Sequence, residues 1–265
     1  MNSLTFTRFE PLDYACTEAL NTLCANLSFA GAGIKKIMVT SSQSSEGKSF
    51  LSMNMMRTLA DLGKKVVMVD ADLRRSMISS RFGMQVQDKK GHGLTHYLAG
   101  MCEAEDTLYT TNIERAFMVP MRHEVSNSLS LLNTPRLSQL LDWLATQFDV
   151  VLVDAPPVGV IIDAAEIARS CDGTLMVISY NRVSRRELNE SRQQIERAGC
   201  RVIGAVLNSV TFDTFSSKKY YYKRYYKKYY SKNSNYDIEG SKPIEKIEKQ
   251  KRIHSSSDET KKKIV

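Results

Sequence analysis

The chain has 265 residues, 42% of them hydrophobic, a formal net charge of +8 and five cysteines. That length suits one α/β domain with a large core plus an appendage. The scatter of Cys16, Cys24, Cys102, Cys171 and Cys200, with no Cys-x-x-Cys pair, argues against a disulfide framework or a zinc site. No apolar run reaches the length of a membrane span and the N-terminus lacks an apolar signal core, so a cytoplasmic protein is expected.

In chain order, residues 12–29 read as a helix, with Cys16, Ala19, Leu20, Leu23 and Leu27 at helical spacing and Asp13 as its cap. Lys36–Thr40 reads as a strand, Ser49–Leu62 as a helix closed by Gly63, and Lys65–Asp70 as a second strand apolar on both faces. Residues 74–100 read as helical pieces between glycine turns, Ala116–Val119 as a strand, and Leu129–Leu132 as a short apolar segment. Pro135–Phe148 reads as a helix with Leu137, Leu140, Leu141 and Leu144 on one face. Val150–Asp154, Thr174–Ser179 and Val202–Leu207 read as strands, separated by helices over Asp163–Ser170 and Arg185–Ala198. This alternation predicts a doubly wound, mostly parallel sheet with helices on both faces, whose ligands gather at the carboxyl ends of its strands.

The charge is uneven. Residues 216–265 hold 15 Lys+Arg against 6 Asp+Glu, a balance of +9, while the other 215 residues hold 22 against 23, a balance of −1. The basicity therefore belongs to the C-terminal stretch, and no nucleic-acid groove is expected on the body.

Three motifs fall at strand ends. Ile37–Phe50 runs from an apolar strand through Ser-Ser-Gln-Ser-Ser-Glu into Gly47-Lys48-Ser49, the second half of a phosphate-binding loop, with Ser42 where the pattern has its first glycine. In such loops, backbone N–H groups and a helix N-terminus cradle phosphates. Val66–Arg74 delivers Asp70 and Asp72 just past an apolar strand, and Val150–Pro157 delivers Asp154 ahead of a rigid Pro-Pro turn, the shape of a Walker B element. An Asp at a strand end also starts turns, but three such motifs on one sheet point to nucleotide chemistry.

This triple resembles the bacterial tyrosine kinases of capsule and exopolysaccharide synthesis, P-loop proteins of the MinD/ParA type, over nearly the whole chain. The apolar-Asp-x-Asp-x-Arg stretch is the most specific part of the match. The chain departs from the family pattern at Gln43-Ser44-Ser45 in the loop. It also departs in the first helix, where Glu18 of the Glu-x-x-Arg-x-x-Arg oligomerisation motif is kept but Asn21 and Cys24 replace the two arginines. The resemblance implies ATP and Mg²⁺ as cofactors, with Ser44, Ser45, Glu46, Gly47, Lys48, Ser49 and Phe50 around the phosphates and Asn208 near the adenine. It implies catalysis by Lys48, Asp70 and Asp72, and metal contacts from Ser49, Asp72 and Asp154. Which of Asp70 and Asp72 is the base is left open by their spacing, with Asp70 favoured; Arg74 either braces the turn or meets the phosphates.

The resemblance further implies a stand-alone kinase domain over residues 1–215, with an N-terminal oligomerisation helix within residues 1–33 and a ring of subunits. A membrane adaptor would activate it and recruit it to the inner face of the membrane, and a tyrosine phosphatase would oppose it. Residues 216–265 are expected to be a flexible basic tail, with no aliphatic residue among Tyr220, Tyr221, Tyr222, Tyr225, Tyr226, Tyr229, Tyr230 and Tyr236. Those tyrosines are the expected autophosphorylation sites, modified between neighbouring chains. The alternatives are a MinD/ParA-like ATPase switch, against which Gln43 stands in place of that class's extra loop lysine, and a non-catalytic nucleotide-binding scaffold.

Overall fold

The computed structural model describes residues 2–28, 31, 33–88 and 91–210. Contacts divide the chain after Val210. The boundary expected at residue 215 and every call on the tyrosine-rich tail therefore lie outside the described residues.

The strands are β1 Asn2–Phe6, β2 Lys36–Ser41, β3 Val66–Asp70, β4 Met84–Val86, β5 Tyr109–Thr110, β6 Ala116–Val119, β7 Val150–Asp154, β8 Gly173–Ser179 and β9 Val202–Asn208. The helices are α1 Tyr14–Ser28, α2 Lys48–Asp61, α3 Ile78–Phe82, α4 Leu94–Leu98, α5 Ser128–Leu132, α6 Arg136–Gln147, α7 Asp163–Ala168 and α8 Arg185–Arg197. Among the described residues the strands form one sheet in the order β4-β1-β5-β6-β3-β7-β2-β8-β9. From β6 to β9 every pairing is parallel. The doubly wound parallel sheet expected from the alternating pattern is what is found.

Successive strand residues face opposite sides, and each side carries its own apolar cluster. Val67, Val69, Val151 and Val153 pack with Leu137, Leu140, Leu141 and Leu144 of α6, while Val66, Met68 and Leu152 pack with Met53, Met56 and Leu59 of α2. Burial on both faces is why β3 and β7 read as unbroken apolar runs. Gly63 closes α2 at φ 85°, and Asp13 caps α1 by accepting from Cys16 N–H at 2.7 Å.

The other edge departs from expectation. The helix expected over residues 12–29 is α1, but the N-terminal segment 1–33 that holds it opens with a strand: β1 pairs antiparallel with β4 and parallel with β5. The stretch 74–100 holds β4 between its helical pieces, and β5 turns back antiparallel on β6. β4 and β5 have three and two residues, too few for a period-2 pattern to show.

Candidate active site

Parallel pairing brings the motif ends together. Asp70 and Asp154 are register partners on β3 and β7, and Val39 of β2 sits beside Asp154. The loop 42–47 follows β2 and delivers Lys48 and Ser49 at the start of α2.

The loop is braced from within. Glu46 is buried; its Oε2 accepts from Gln43 N–H at 2.7 Å and its Oε1 from Ser179 N–H at 2.9 Å, at the end of β8. The Gln43 amide donates to Glu187 on α8 at 2.8 Å, and Arg182 donates to the Ser45 carbonyl at 3.2 Å. Asn208, the last residue of β9, donates from Nδ2 to the Glu46 carbonyl at 2.9 Å. Two residues named for ATP on the strength of the family pattern, Glu46 and Asn208, thus spend their side chains on the loop's own frame.

Gly47 has φ 93°, and a Cβ there would lie 2.1 Å from Asn208 Nδ2, so both backbone and space require glycine. Ser45 is also left-handed, at φ 63°. Ser42 has no positive φ, so nothing in its backbone demands the missing glycine. The close approach is instead made by Gly159, where a Cβ would lie 2.4 Å from the Ser42 carbonyl. Ser44 and Ser45 are exposed on the loop, whereas the Phe50 ring packs beneath Arg81, whose Cζ is 4.8 Å from the ring centre.

Behind the loop lie three carboxylates and one ammonium. Lys48 Nζ is 2.9 Å from Asp72 Oδ2 and 3.4 Å from Ser49 Oγ. Burial works against the Lys48 charge, but Asp154 and Asp72 outweigh it, so its pKa stands above the ordinary lysine value. Asp72 also accepts from Arg75 N–H at 3.1 Å. Asp154 accepts from Ser52 Oγ at 3.1 Å and from Ser49; burial nevertheless raises its pKa.

Asp70 is different. Its Oδ2 accepts from Ser76 Oγ at 2.5 Å, while its buried Oδ1 has no hydrogen-bond partner among the described residues. Burial, opposed by the Ser76 bond and reinforced by Asp154 and Asp72, pushes its pKa up to about 7. Arg74 makes a two-pronged pair with buried Asp163, at 2.9 and 3.2 Å, and so braces the turn after β3. Asp163 also accepts from Ser128 Oγ. Ser76, Ser52 and Ser179 were not singled out beforehand; single serines carry no motif, and their partners lie on other elements. Glu18 lies on α1, within 3.4 Å of Asn21 Nδ2.

A cavity of about 430 Å³ opens beside Asp70, with Ser76, Met84, Val86, Met121 and Arg122 among its lining. It contains no loop residue, so the carboxylate stands between a phosphate cradle and a separate hollow.

A phosphate loop at a β2–α2 junction, with strand-end aspartates on a parallel sheet, defines a P-loop nucleotide-binding fold. The septum site-determining protein MinD of Pyrococcus horikoshii, complexed with Mg-ADP, shares this fold at a TM-score of 0.57 and 23% identity, over 65% of this chain and 69% of that one. The AAA domain family profile matches residues 34–198. Tyrosine-protein kinase CpsD of Streptococcus pneumoniae is 34% identical over 206 residues, covering 77% of this chain and 89% of that protein. The CpsD of Streptococcus agalactiae serotype Ia is 32% identical over 211 residues, covering 77% and 90%. The kinase domain of Escherichia coli tyrosine kinase ETK superposes at a TM-score of 0.66 with 30% identity, over 75% of this chain and 78% of that one. The chain belongs to the bacterial tyrosine-protein kinase family and is a nucleotide-binding tyrosine kinase. Among the described residues no helix is long and apolar enough to cross a membrane.

Proposed function

We propose that this kinase transfers the γ-phosphoryl group of ATP to tyrosines in its own C-terminal stretch. The observation that carries the reading is Asp70: a buried carboxylate with a free oxygen and a pKa near 7, set within the Lys48, Asp72 and Asp154 cluster. A general base works best with a pKa near the working pH. The phenolic oxygen attacks the γ-phosphorus, Asp70 Oδ1 takes the phenolic proton, and the bond from the γ-phosphorus to the β,γ-bridging oxygen breaks to release ADP.

Lys48 would hold the β/γ-phosphates, and loop N–H groups together with exposed Ser44 and Ser45 would surround them. The donors fit Mg²⁺: Ser49 Oγ, Asp72 and Asp154 offer only hard oxygen ligands. Among the described residues there is no ready-made cage of three acidic, His or Cys side chains. Mg²⁺ that keeps its waters and shares nucleotide phosphates needs no such cage. When bound, Mg²⁺ would neutralise charge developing on the phosphoryl oxygens. Transfer then depends on placing the acceptor in line, which is what the chain supplies.

The acceptors are Tyr220, Tyr221, Tyr222, Tyr225, Tyr226, Tyr229, Tyr230 and Tyr236 of a neighbouring copy. A homo-oligomer would present them, with Glu18 at its interface. Each phosphotyrosine adds about −1.5 to −2 charge. Four or five would cancel the +9 of residues 216–265 and release that basic segment from an anionic membrane. A membrane adaptor would activate and recruit the kinase, a phosphatase would reset it, and the output would be control of capsular or exopolysaccharide synthesis.

The test is intact-mass analysis after incubation with Mg·ATP, with and without an adaptor's cytoplasmic segment. Serial phosphoryl additions mapping to Tyr220–Tyr236, absent in Lys48→Met, are expected. Mixing Lys48→Met with an active chain lacking residues 216–265 should label the former; no label would sink transfer between copies. ADP release without phosphotyrosine would point to a MinD-like switch, and neither product to a scaffold.

A further inference from the structure

Among the described residues the sheet ends on two open edges, β4 and β9. β4 has three residues, too short an edge to template much pairing. β9 has seven, and among the described residues it pairs only with β8. Proteins blunt such an edge with charge, proline or a bulge. From Val202 to Val210 there is neither a charged residue nor a proline. The one shift of register lies at the start of the strand, opposite Thr174 and Leu175, and leaves Gly204–Asn208 in unbroken pairing.

The backbone shows which groups are open. Asn208 turns its carbonyl to β8, where it accepts from Tyr180 N–H at 2.8 Å. Alternate residues of a strand direct their N–H and C=O to opposite sides, so those of Ala205 and Leu207 face outward. Side chains alternate between the two faces of the sheet. Val206 packs against the cluster on the α2 face, so Ala205 and Leu207 share the other face. Both are exposed there, Leu207 at 55%.

We propose that this edge pairs with β9 of a second copy, antiparallel about a two-fold axis at Val206. In that register the outward groups of Ala205 exchange hydrogen bonds with those of the partner subunit's Leu207, and the symmetry repeats the exchange. The small Ala205 side chain then stands opposite a large one. On the other face Val206 meets the partner subunit's Val206, a β-branched pair suited to a strand. No like charges are brought together, because the strand carries none. Residues 216–265 fit this edge less well: their 15 Lys+Arg would bring positive charge to a strand that has no carboxylate to meet it. Asn208, which holds the phosphate loop through the Glu46 carbonyl, ends the same strand, so the interface abuts the nucleotide site.

The test follows amide exchange and sedimentation of the full chain over a concentration series. The Ala205 and Leu207 amides should exchange freely in dilute protein and slow about tenfold or more as the mass doubles. Leu207→Lys, at a side chain that is already exposed, should keep the chain monomeric and both amides open. Ala205→Glu combined with Leu207→Lys should restore the dimer, since the register sets each glutamate opposite a lysine, and high salt should weaken it again. Dimerisation that ignores Leu207→Lys, or a double variant that stays monomeric, would overturn the proposal. Protection of both amides in a monomer would mean that the chain's own continuation past Val210 covers the edge. Free exchange at every concentration, in a monomer or a larger assembly, would mean that the edge stays bare. Either result would equally overturn it.

Discussion

Lys48 Nζ lies 2.9 Å from Asp72 Oδ2, with the two side chains only 10% and 7% exposed. In this state the loop lysine is neutralised by a carboxylate of the next strand, so an arriving nucleotide must exchange phosphate oxygens for Asp72. That exchange would free Asp72 to join Ser49 and Asp154, the residues proposed to hold Mg²⁺. Lys48→Met removes the buried cation that sits among three buried carboxylates. Breaking a buried pair from one side costs about 3–5 kcal/mol. The variant should therefore lose nucleotide binding by calorimetry and also unfold at lower denaturant. The deficit should be smaller at pH 5 than at pH 8, because protonation relieves the abandoned carboxylates.

Asp70→Asn should separate catalysis from stability. The folded pKa, about 7, stands above the unfolded value of about 3.9. Between those values the folded state binds more protons, so the Asp70 contribution to stability falls as pH rises, by up to about 1.4 kcal/mol per pH. Asn does not ionise, so the variant should melt higher than wild type above pH 7 and near it at pH 4. Phosphoryl transfer should fall about 10²–10⁴-fold. In wild type, transfer should rise with pH through about 7; a rate flat from pH 5.5 to 8.5 would rule out Asp70 as the base.

Glu46 is expected to matter through the loop's shape. Glu46→Ala strips the acceptor from Gln43 N–H and Ser179 N–H, at about 1–3 kcal/mol for each donor left buried and unpaired. Glu46→Gln keeps one acceptor but turns an amide donor toward the other N–H. ADP affinity should fall in the order wild type, Gln, Ala. Equal affinity across the three would mean that the loop holds its form without the strut.

Gly47 and Asn208 should behave as a coupled pair. Gly47→Ala suffers twice, from its φ of 93° and from the contact with Asn208 Nδ2. Adding Asn208→Ala removes the contact but not the backbone strain. The double variant should recover part of the nucleotide affinity lost in Gly47→Ala, although Asn208→Ala alone weakens binding. Additive losses would show that the side-chain contact carries no energy.

The sequence by itself determined the fold class and which strand ends carry the motifs. Val66–Asp70 and Val150–Asp154 are local apolar runs that end in carboxylates, and Gly47-Lys48-Ser49 opens a helix after a strand; each signal lies within a few residues of itself. On the edge built by β1, β4 and β5, the last two escaped because strands of three and two residues show no period, and β1, only half-buried at three of its five positions, carries no unbroken apolar run. The spacing of Asp70 and Asp72 left their roles open, since both emerge from the same strand end. The tertiary structure alone shows that their partners differ, giving Asp72 to Lys48 and Asp70 to Ser76. It alone joins Arg74 to Asp163, 89 residues on, and Glu46 to Ser179, 133 residues on. Periodicity and caps are properties of neighbouring residues and can be read along the chain. Which buried charge finds which partner depends on how the sheet stacks its strands, and that is settled only when the chain is packed.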